Sequence, residues 1–530
     1  MCAEHGARPA LVLNDGTGWS YTEFGALVTR MLATLTAAGV APGERIAIFL
    51  PKVPLNCAAI YAASALGAVF VPVNPSLKPL QVAHILRDSG AVMLLTTSER
   101  ARRLAAELPR LESLRTLLLT EASDDAQTLG RPCLVWDDAS GPANDAAQLN
   151  VNLPPVAANA LAALLYTSGS TGAPKGVMVT QRNFLAGCLS VSTYLGLTAD
   201  DRVITALPFS FDYGLNQLLA ALTVGAGCVL YDHLLANDLL DALERHAVTG
   251  LAGVPTLWAQ LAAAGYGRRS YAGLRYWTNS GGALPATVLA KVRSVFPAAA
   301  PYLMYGLTEA FRSTYLPPDE VARRPGSIGK AIPGEEILVF KEDGTPAGPG
   351  EEGELVHCGK LVTQGYWRAA DATRQRFKAV PGRFTATGEP EIGVWSGDVV
   401  RLDEDGYLYF IGRRDGLIKS SGYRVSPDEI EAVVLGLAEV AEVCAFGIPD
   451  EMLGQRIVLG TVPTTPTMLP ATFEAAINGH CAKVLPPYMQ PSAIMMLAEL
   501  PKNMNGKYDR RALADAYTAS DVRGGQHGAG

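Results

Sequence analysis

Short, uninterrupted apolar runs recur along the chain at 45–50, 68–73, 91–96, 116–120, 162–166, 228–231 and 250–254, with Ala- and Leu-rich stretches between them. Runs of this length suit strands buried on both faces, and their alternation with helical stretches predicts largely parallel sheets in a layered α/β body. The apolar stretch 56–72 is rich in small residues and closed by Pro72 and Pro75. It falls short of the roughly 20 residues a membrane helix needs, and predicts a buried helix running into a strand. No fixed-period repeat is present, which argues against solenoids and propellers.

From about 336 the texture changes to Gly-punctuated β segments. Asp343-Gly344 and Asp405-Gly406 each sit between strand-like runs, the strongest short-range hairpin signal. After Ser426-Pro427 the segment PDEIEAVVLGL, with acids in its first turn, predicts a helix start. A small α+β unit is expected to follow, and residues 516–530, polar and Gly-rich at their end, are expected to form a disordered tail.

A length of 530 residues suits several domains. Forty-four Lys and Arg against 51 Asp and Glu leave a net charge of −7, so no basic excess exists to neutralise a nucleic acid. Eight cysteines are scattered without a CxxC or a close His, which writes neither a zinc site nor a disulfide framework. No basic segment followed by an apolar core opens the sequence; a cytoplasmic protein without a membrane segment is the expectation.

The most informative segment is YTSGSTGAPKG at 166–176, directly after the apolar run LAALLY. Thr167, Ser168, Ser170 and Thr171, with Gly169 and Gly172, leave backbone N–H groups free to wrap a polyphosphate, and Lys175 supplies a point charge. It is not a Walker A loop, because Lys175 is followed by Gly176 rather than by a hydroxyl residue.

This segment resembles the phosphate loop of the AMP-forming adenylation superfamily: acyl-CoA synthetases, peptide-synthetase adenylation domains and luciferases. Further motifs resemble that superfamily in order: YGLTE at 305–309, GEL at 353–355 with GYW at 365–367, WSGD at 395–398, GRRD at 412–415, IKSSGYR at 418–424 and PKNMNGK at 501–507. The runs MYGLTEAFRSTYLPP, SIGKAIPG and LPFSFDYGLNQ are most similar to the acyl-CoA ligase group associated with exosortase A.

The resemblance implies a large N-terminal domain of layered α/β subdomains plus a β-barrel-like part over 1–411, a hinge at 412–416 and a small mobile α+β lid over 417–515. It implies ATP and Mg²⁺ as cofactors, and CoA or phosphopantetheine as thiol co-substrate. The phosphate-loop residues would hold the β- and γ-phosphates, and Thr308 and Glu309 would meet the α-phosphate and Mg²⁺. Tyr305, followed by Gly306, would stack on adenine, Asp398 would accept from the ribose hydroxyls, and Arg413 would approach ribose or phosphate. Lys507 would bridge the attacking carboxylate and the α-phosphate. Asp415 matches the lid's hinge; Lys419, Gly422 and Arg424 belong to a loop facing the nucleotide in one lid position. Gln181 and Ser396 depart from the usual His and Thr, polar exchanges that should spare activity.

The same alignment puts Phe211, Asp212, Tyr213, Asn216, Trp277, Asn279, Ser280, Gly281, Met304, Arg312 and Ser313 around the acid. Most fatty and aryl acid ligases carry an apolar residue at the Asp212 position, and a buried lone carboxylate is costly. An ammonium on the substrate would pair it, while Arg312 takes a second carboxylate. The expected reaction is therefore activation of an amino acid, aspartate- or glutamate-like in build, and its transfer to a carrier protein. Three alternatives stay open: an Asp212–Arg312 ion pair leaving an apolar pocket, in a CoA ligase for a small or medium-chain acid; a luciferase-like oxidation; and a non-catalytic nucleotide-binding relative.

Overall fold

A computed structural model describes residues 2–122, 129–136, 155–167, 174–232, 235–264, 271–413, 416–420, 423–450, 453–485, 487–503 and 507–524. By compactness the chain divides into two units. Met1–Leu338 with Val356–Trp395 form one, and Val339–Leu355 with Ser396–Gly530 form the other. This break falls ahead of 412–416, since Ser396 onward shares a strand pair with Leu408–Arg413.

The first unit contains all seven apolar runs, and each is a strand. Five of them lie in one seven-stranded sheet, in the order Cys133–Val135, Thr116–Leu119, Met93–Thr96, Arg45–Phe49, Val69–Pro72, Leu161–Thr167, Lys175–Thr180. Neighbours are parallel except for the last pair, an antiparallel hairpin that sets Thr167 opposite Lys175. A second sheet runs Ala300–Tyr305, Tyr276–Asn279, Gly250–Gly253, Arg202–Thr205, Gly227–Leu230, Pro9–Leu13, again parallel. Helices Tyr21–Ala37, Pro54–Leu66, Gln181–Leu195 and Asp212–Thr223 pack Met31, Leu35, Ile60, Val191 and Leu218 into one core with strand residues of both sheets, among them Ile46, Phe70, Leu11 and Cys228. The stretch 56–72 is the expected helix running into a strand. Among the described residues no helix is long and apolar enough to cross a membrane.

Lys52 is buried just past the end of the strand Arg45–Phe49. Its ammonium donates to the carbonyls of Ala206 (3.0 Å) and Leu207 (3.3 Å), 3.6 Å from the Asp232 carboxylate. It thereby ties down the segment that leads into the helix Asp212–Thr223. Burial lowers its pKa to about 8, with Asp232 opposing the shift. The unfolded chain holds this proton up to its ordinary pKa near 10.5, so folding becomes more favourable as pH rises from about 8 toward 10. The unfolding free energy of the wild type, measured in urea, should gain about 2–3 kcal/mol on that of Lys52→Met across this window.

In the second unit Asp398–Leu402, the end of the strand Pro390–Leu402, pairs antiparallel with Leu408–Arg413 around Asp405-Gly406, as the hairpin signal predicts. A further sheet runs Tyr423–Val425, Ile418–Ser420, Gly454–Pro463, Val440–Asp450, with Ala493–Met496 parallel to Gly454–Pro463. The helix Pro427–Val434 starts at Ser426, whose side chain accepts from the Glu429 N–H. Its Ile430 and Val434 join Val443, Leu459, Phe473 and Ile477 in the core.

The tail differs from expectation: a helix, Arg510–Gly524, occupies residues assigned to disorder from 516, while 525–530 lie outside the described residues. The reason is tertiary. Leu513 is buried, Ala514 and Tyr517 pack against the cluster of Phe446, Val458 and Leu500, and the Arg456 guanidinium lies over the Tyr517 ring. This apolar contact outweighs a polar composition that alone suggested no core.

Candidate active site

The helix Asp212–Thr223 begins on the carboxylate that the sequence singles out. Its first turn lies so close on the preceding segment that a Cβ at Gly214 would stand 2.3 Å from the Pro208 carbonyl oxygen; only glycine fits there. Asp212 is 4% exposed, and the positive end of the helix dipole favours a negative charge at that position.

Opposite it, the chain leaves the strand Ala300–Tyr305 through Gly306 and a short 3₁₀ turn, Thr308–Ala310. Phe311 follows at φ +54°, ψ −42°, and the Arg312 N–H bonds back to the Ala310 carbonyl. This is a γ-turn of the rare, strained hand. It turns the Arg312 side chain inward: Nη1 donates to Asp212 Oδ2 at 3.3 Å, and the guanidinium lies 4.6 Å over the Tyr213 ring. The Thr308 hydroxyl reaches Asp212 Oδ1 at 3.4 Å. Burial raises the Asp212 pKa against the opposing pull of Arg312.

The Asp212–Arg312 ion pair thus forms, yet its surroundings are not wholly apolar. Nε and Nη2 of Arg312 are buried without a hydrogen-bond partner among the described residues, as are both amide atoms of Asn216 one helical turn beyond Asp212. Unsatisfied buried donors and acceptors cost about 1–3 kcal/mol each, so these atoms call for a polar partner, a water or a ligand.

Phe211 meets Tyr213 edge to face and closes on Gly281. Met304 packs with Leu207, Tyr213 and Ala252 and accepts the Tyr194 hydroxyl at sulfur. Trp277, expected around the acid, lies elsewhere. Strand side chains alternate faces, and Trp277 points into the other core, 4.8 Å from the Trp258 ring. Its neighbour Thr278 instead bonds the Tyr213 hydroxyl. Asn279, on the Trp277 face, donates to the Gly282 carbonyl and closes the turn after the strand; Ser280 is buried beside it. Ser313 is buried behind Arg312 rather than exposed to a pocket.

A second group of polar residues in this unit surrounds Glu309. The Tyr366 hydroxyl donates to Glu309 Oε1, and Lys175 Nζ lies 5.8 Å from the centre of the Tyr366 ring. Burial and the adjacent carboxylate push the Tyr366 phenol well above its ordinary pKa, so it remains a donor. Tyr366 stands in the GYW motif, but nothing in the motif itself announces that its hydroxyl reaches Glu309. Tyr305 ends its strand opposite Thr314, and a Cβ on Gly306 would stand 3.4 Å from the Arg312 Cα. Gln181 holds Ser64 through its carboxamide and links two helices.

In the second unit Asp398 and Arg413 face each other across the strand pair, with Nε donating to Oδ1 at 3.0 Å. The Ser396 hydroxyl accepts the Asp398 N–H and donates to the Leu355 carbonyl. Lys507 is exposed, its main chain bonded to Asn503. Ser168, Gly169, Ser170, Thr171, Gly172, Asp415 and Gly422 lie outside the described residues, as do the side chains of Lys419 and Arg424.

A two-sheet α/β body, a hydroxyl-rich sequence at 167–175, a buried Asp212–Arg312 pair and a smaller α+β unit point to the class of ligases that join acids to thiols through an adenylate. Residues 1–367 match the family model described as AMP-binding enzyme, and 429–507 match its C-terminal domain. The chain belongs to the AMP-binding enzyme family, and it is an AMP-forming acid–thiol ligase. It is 32% identical to the sulfoacetate–CoA ligase of Cupriavidus necator, over 95% of this chain and 94% of that one. It is 33% identical to the L-proline–[L-prolyl-carrier protein] ligase of Streptomyces coelicolor, over 96% and 94%. The o-succinylbenzoate CoA synthetase of Bacillus subtilis, solved with its acyl-adenylate, superposes with a TM-score of 0.79 at 26% identity, covering 97% of this chain and 96% of that one.

Proposed function

We propose that this ligase activates a small, polar acid bearing a second charged group, an amino acid of aspartate- or glutamate-like build, and passes it to the phosphopantetheine thiol of a carrier protein. A carboxylate oxygen of the acid attacks the α-phosphorus of ATP, and the bond to pyrophosphate breaks. The thiol sulfur then attacks the acyl carbon, loses its proton and displaces AMP. The observation that carries the substrate reading is the buried Asp212–Arg312 pair with Arg312 Nε, Nη2 and the Asn216 amide left unpartnered. A zwitterionic dicarboxylate suits these groups, its ammonium at Asp212 and its spare carboxylate at Arg312, where a fatty chain would leave Arg312 Nε and Nη2 and the Asn216 amide unsatisfied.

Thr308, Glu309, Lys175 and the phosphate loop would take the phosphates, and Asp398 and Arg413 the ribose. Tyr305 would stack on adenine, Lys507 would neutralise the α-phosphate, and the lid would turn about Asp415. Among the described residues no three His, Cys, Asp or Glu cluster as a metal site. Mg²⁺, which is bound through one or two carboxylates plus substrate phosphates, fits Glu309 as its protein ligand, held by Tyr366. Tyr366→Phe should therefore lower adenylation about 10-fold, the order of one hydrogen bond to a charged group, and raise the Mg²⁺ concentration needed for half-maximal rate.

A second reading has its own support. Arg312 already balances Asp212, so an acid with a second anionic group and no amine also fits, with CoA as acceptor. Pyrophosphate exchange across aspartate, glutamate, malonate, succinate, sulfoacetate and octanoate decides between them, with AMP release then followed against CoA and a holo carrier protein. Exchange with octanoate and with none of the charged acids would sink both readings.

A further inference from the structure

Behind the substrate pocket lies a buried chain of polar side chains that no role so far described uses. His357 is fully buried on the strand Glu352–Gly359. Its Nδ1 stands 3.0 Å from the Ser313 hydroxyl, and its Nε2 stands 3.0 Å from Glu335 Oε2. Glu335 is itself nearly inaccessible and accepts the Leu361 N–H at 3.1 Å through the same oxygen. Its approach depends on Gly359, where a Cβ would stand 2.3 Å from that carboxylate.

A buried carboxylate, imidazole and hydroxyl in line are costly to desolvate, and their retention asks for a reason. The residue they grip is next to Arg312, and the turn they grip is strained. A non-glycine residue held at positive φ costs about 1–3 kcal/mol and persists only where its surroundings over-determine it. One side of the Phe311 turn is clamped by packing: the ring is edge-on to Phe184 at 5.3 Å, and a Cβ on Gly187 would come within 2.6 Å of it. The other side is clamped at Ser313, by the His357 ring on its hydroxyl and by the Ile332 N–H on its carbonyl at 3.0 Å.

We infer that His357, oriented by Glu335, is a positioning residue that holds the Phe311 turn in its strained form, and through it points Arg312 at the acid. Nε2–H is donated to the carboxylate, so in the neutral ring Nδ1 accepts from Ser313, and the hydroxyl can no longer turn away. The relay touches neither acid nor nucleotide; its effect reaches the acid only through Arg312. The kinetic part of this inference rests on the proposed role of Arg312, while the structural part does not.

The test pairs two variants. Glu335→Leu with His357→Phe removes both polar partners at similar volume, an exchange that is often close to neutral for folding. His357→Asn keeps an acceptor where Nδ1 stands. In the double variant KM for the acid should rise 10-fold or more while KM for ATP stays within 2-fold, and His357→Asn should recover most of the loss. A crystal structure of the double variant should show Phe311 out of positive φ, or the Arg312–Asp212 contact broken. Positive φ and an intact pair in that structure would overturn the inference, whatever the substrate proves to be. A relaxed turn with an unchanged acid KM would uphold the positioning and count against Arg312 as the acid's partner.

Discussion

Lys507→Ala is expected to slow adenylate formation about 10²- to 10³-fold, the usual loss when a donor aimed at developing charge is removed. The carboxylate attack builds negative charge on the α-phosphate oxygens, which the Lys507 ammonium would cancel in the proposed role. Lys507 is exposed, on a short segment whose main chain is bonded to Asn503, so alanine should leave folding intact. The expected signature is asymmetric. Pyrophosphate exchange should collapse, whereas thiol transfer from a chemically prepared acyl-adenylate should keep its rate, since under the proposed function Lys507 acts in the first step alone. Equal losses in both half-reactions would show that Lys507 supports the fold rather than the first step.

Arg312→Leu carries the second large effect. It strands the Asp212 carboxylate in a buried site, and breaking a buried pair from one side typically costs about 3–5 kcal/mol. Thermal and urea unfolding should both register it. Arg312→Leu combined with Asp212→Leu should recover most of that stability, since neither charge is then left alone, while activity toward charged acids stays lost. Stability returning without activity separates the pair's role in recognition from its role in the fold. If the double variant turned over aspartate or succinate as the wild type does, the pocket reading would fail.

The expectations that failed share a cause with one that was never raised. A disordered tail was expected on composition, but whether Leu513 and Tyr517 find partners depends on Phe446, Val458 and Leu500, which arrive from strands far earlier in the chain. Trp277 was placed in the pocket by its position in a motif, and a shift of one residue along a strand moved it to the opposite face. His357 and Glu335 raised no expectation at all. Each is unremarkable in its own segment, and they become a relay only because two strands set them 3.0 Å apart.

What the sequence by itself determined is what local patterning and ordered motifs can carry: apolar runs of a length that suits buried strands, hairpin turns at Asp-Gly, and a succession of motifs that resemble one family in order. It also raised the choice at Asp212 and Arg312, a substrate's charges or each other, without settling it. Only the tertiary structure decided that the two side chains meet and that Arg312 keeps Nε and Nη2 unpartnered beside them. The strained turn at Phe311 brings them together across a separation of 100 residues. Charge pairing between distant segments depends on distances of a few ångströms and on who else is within reach, and no local pattern records either.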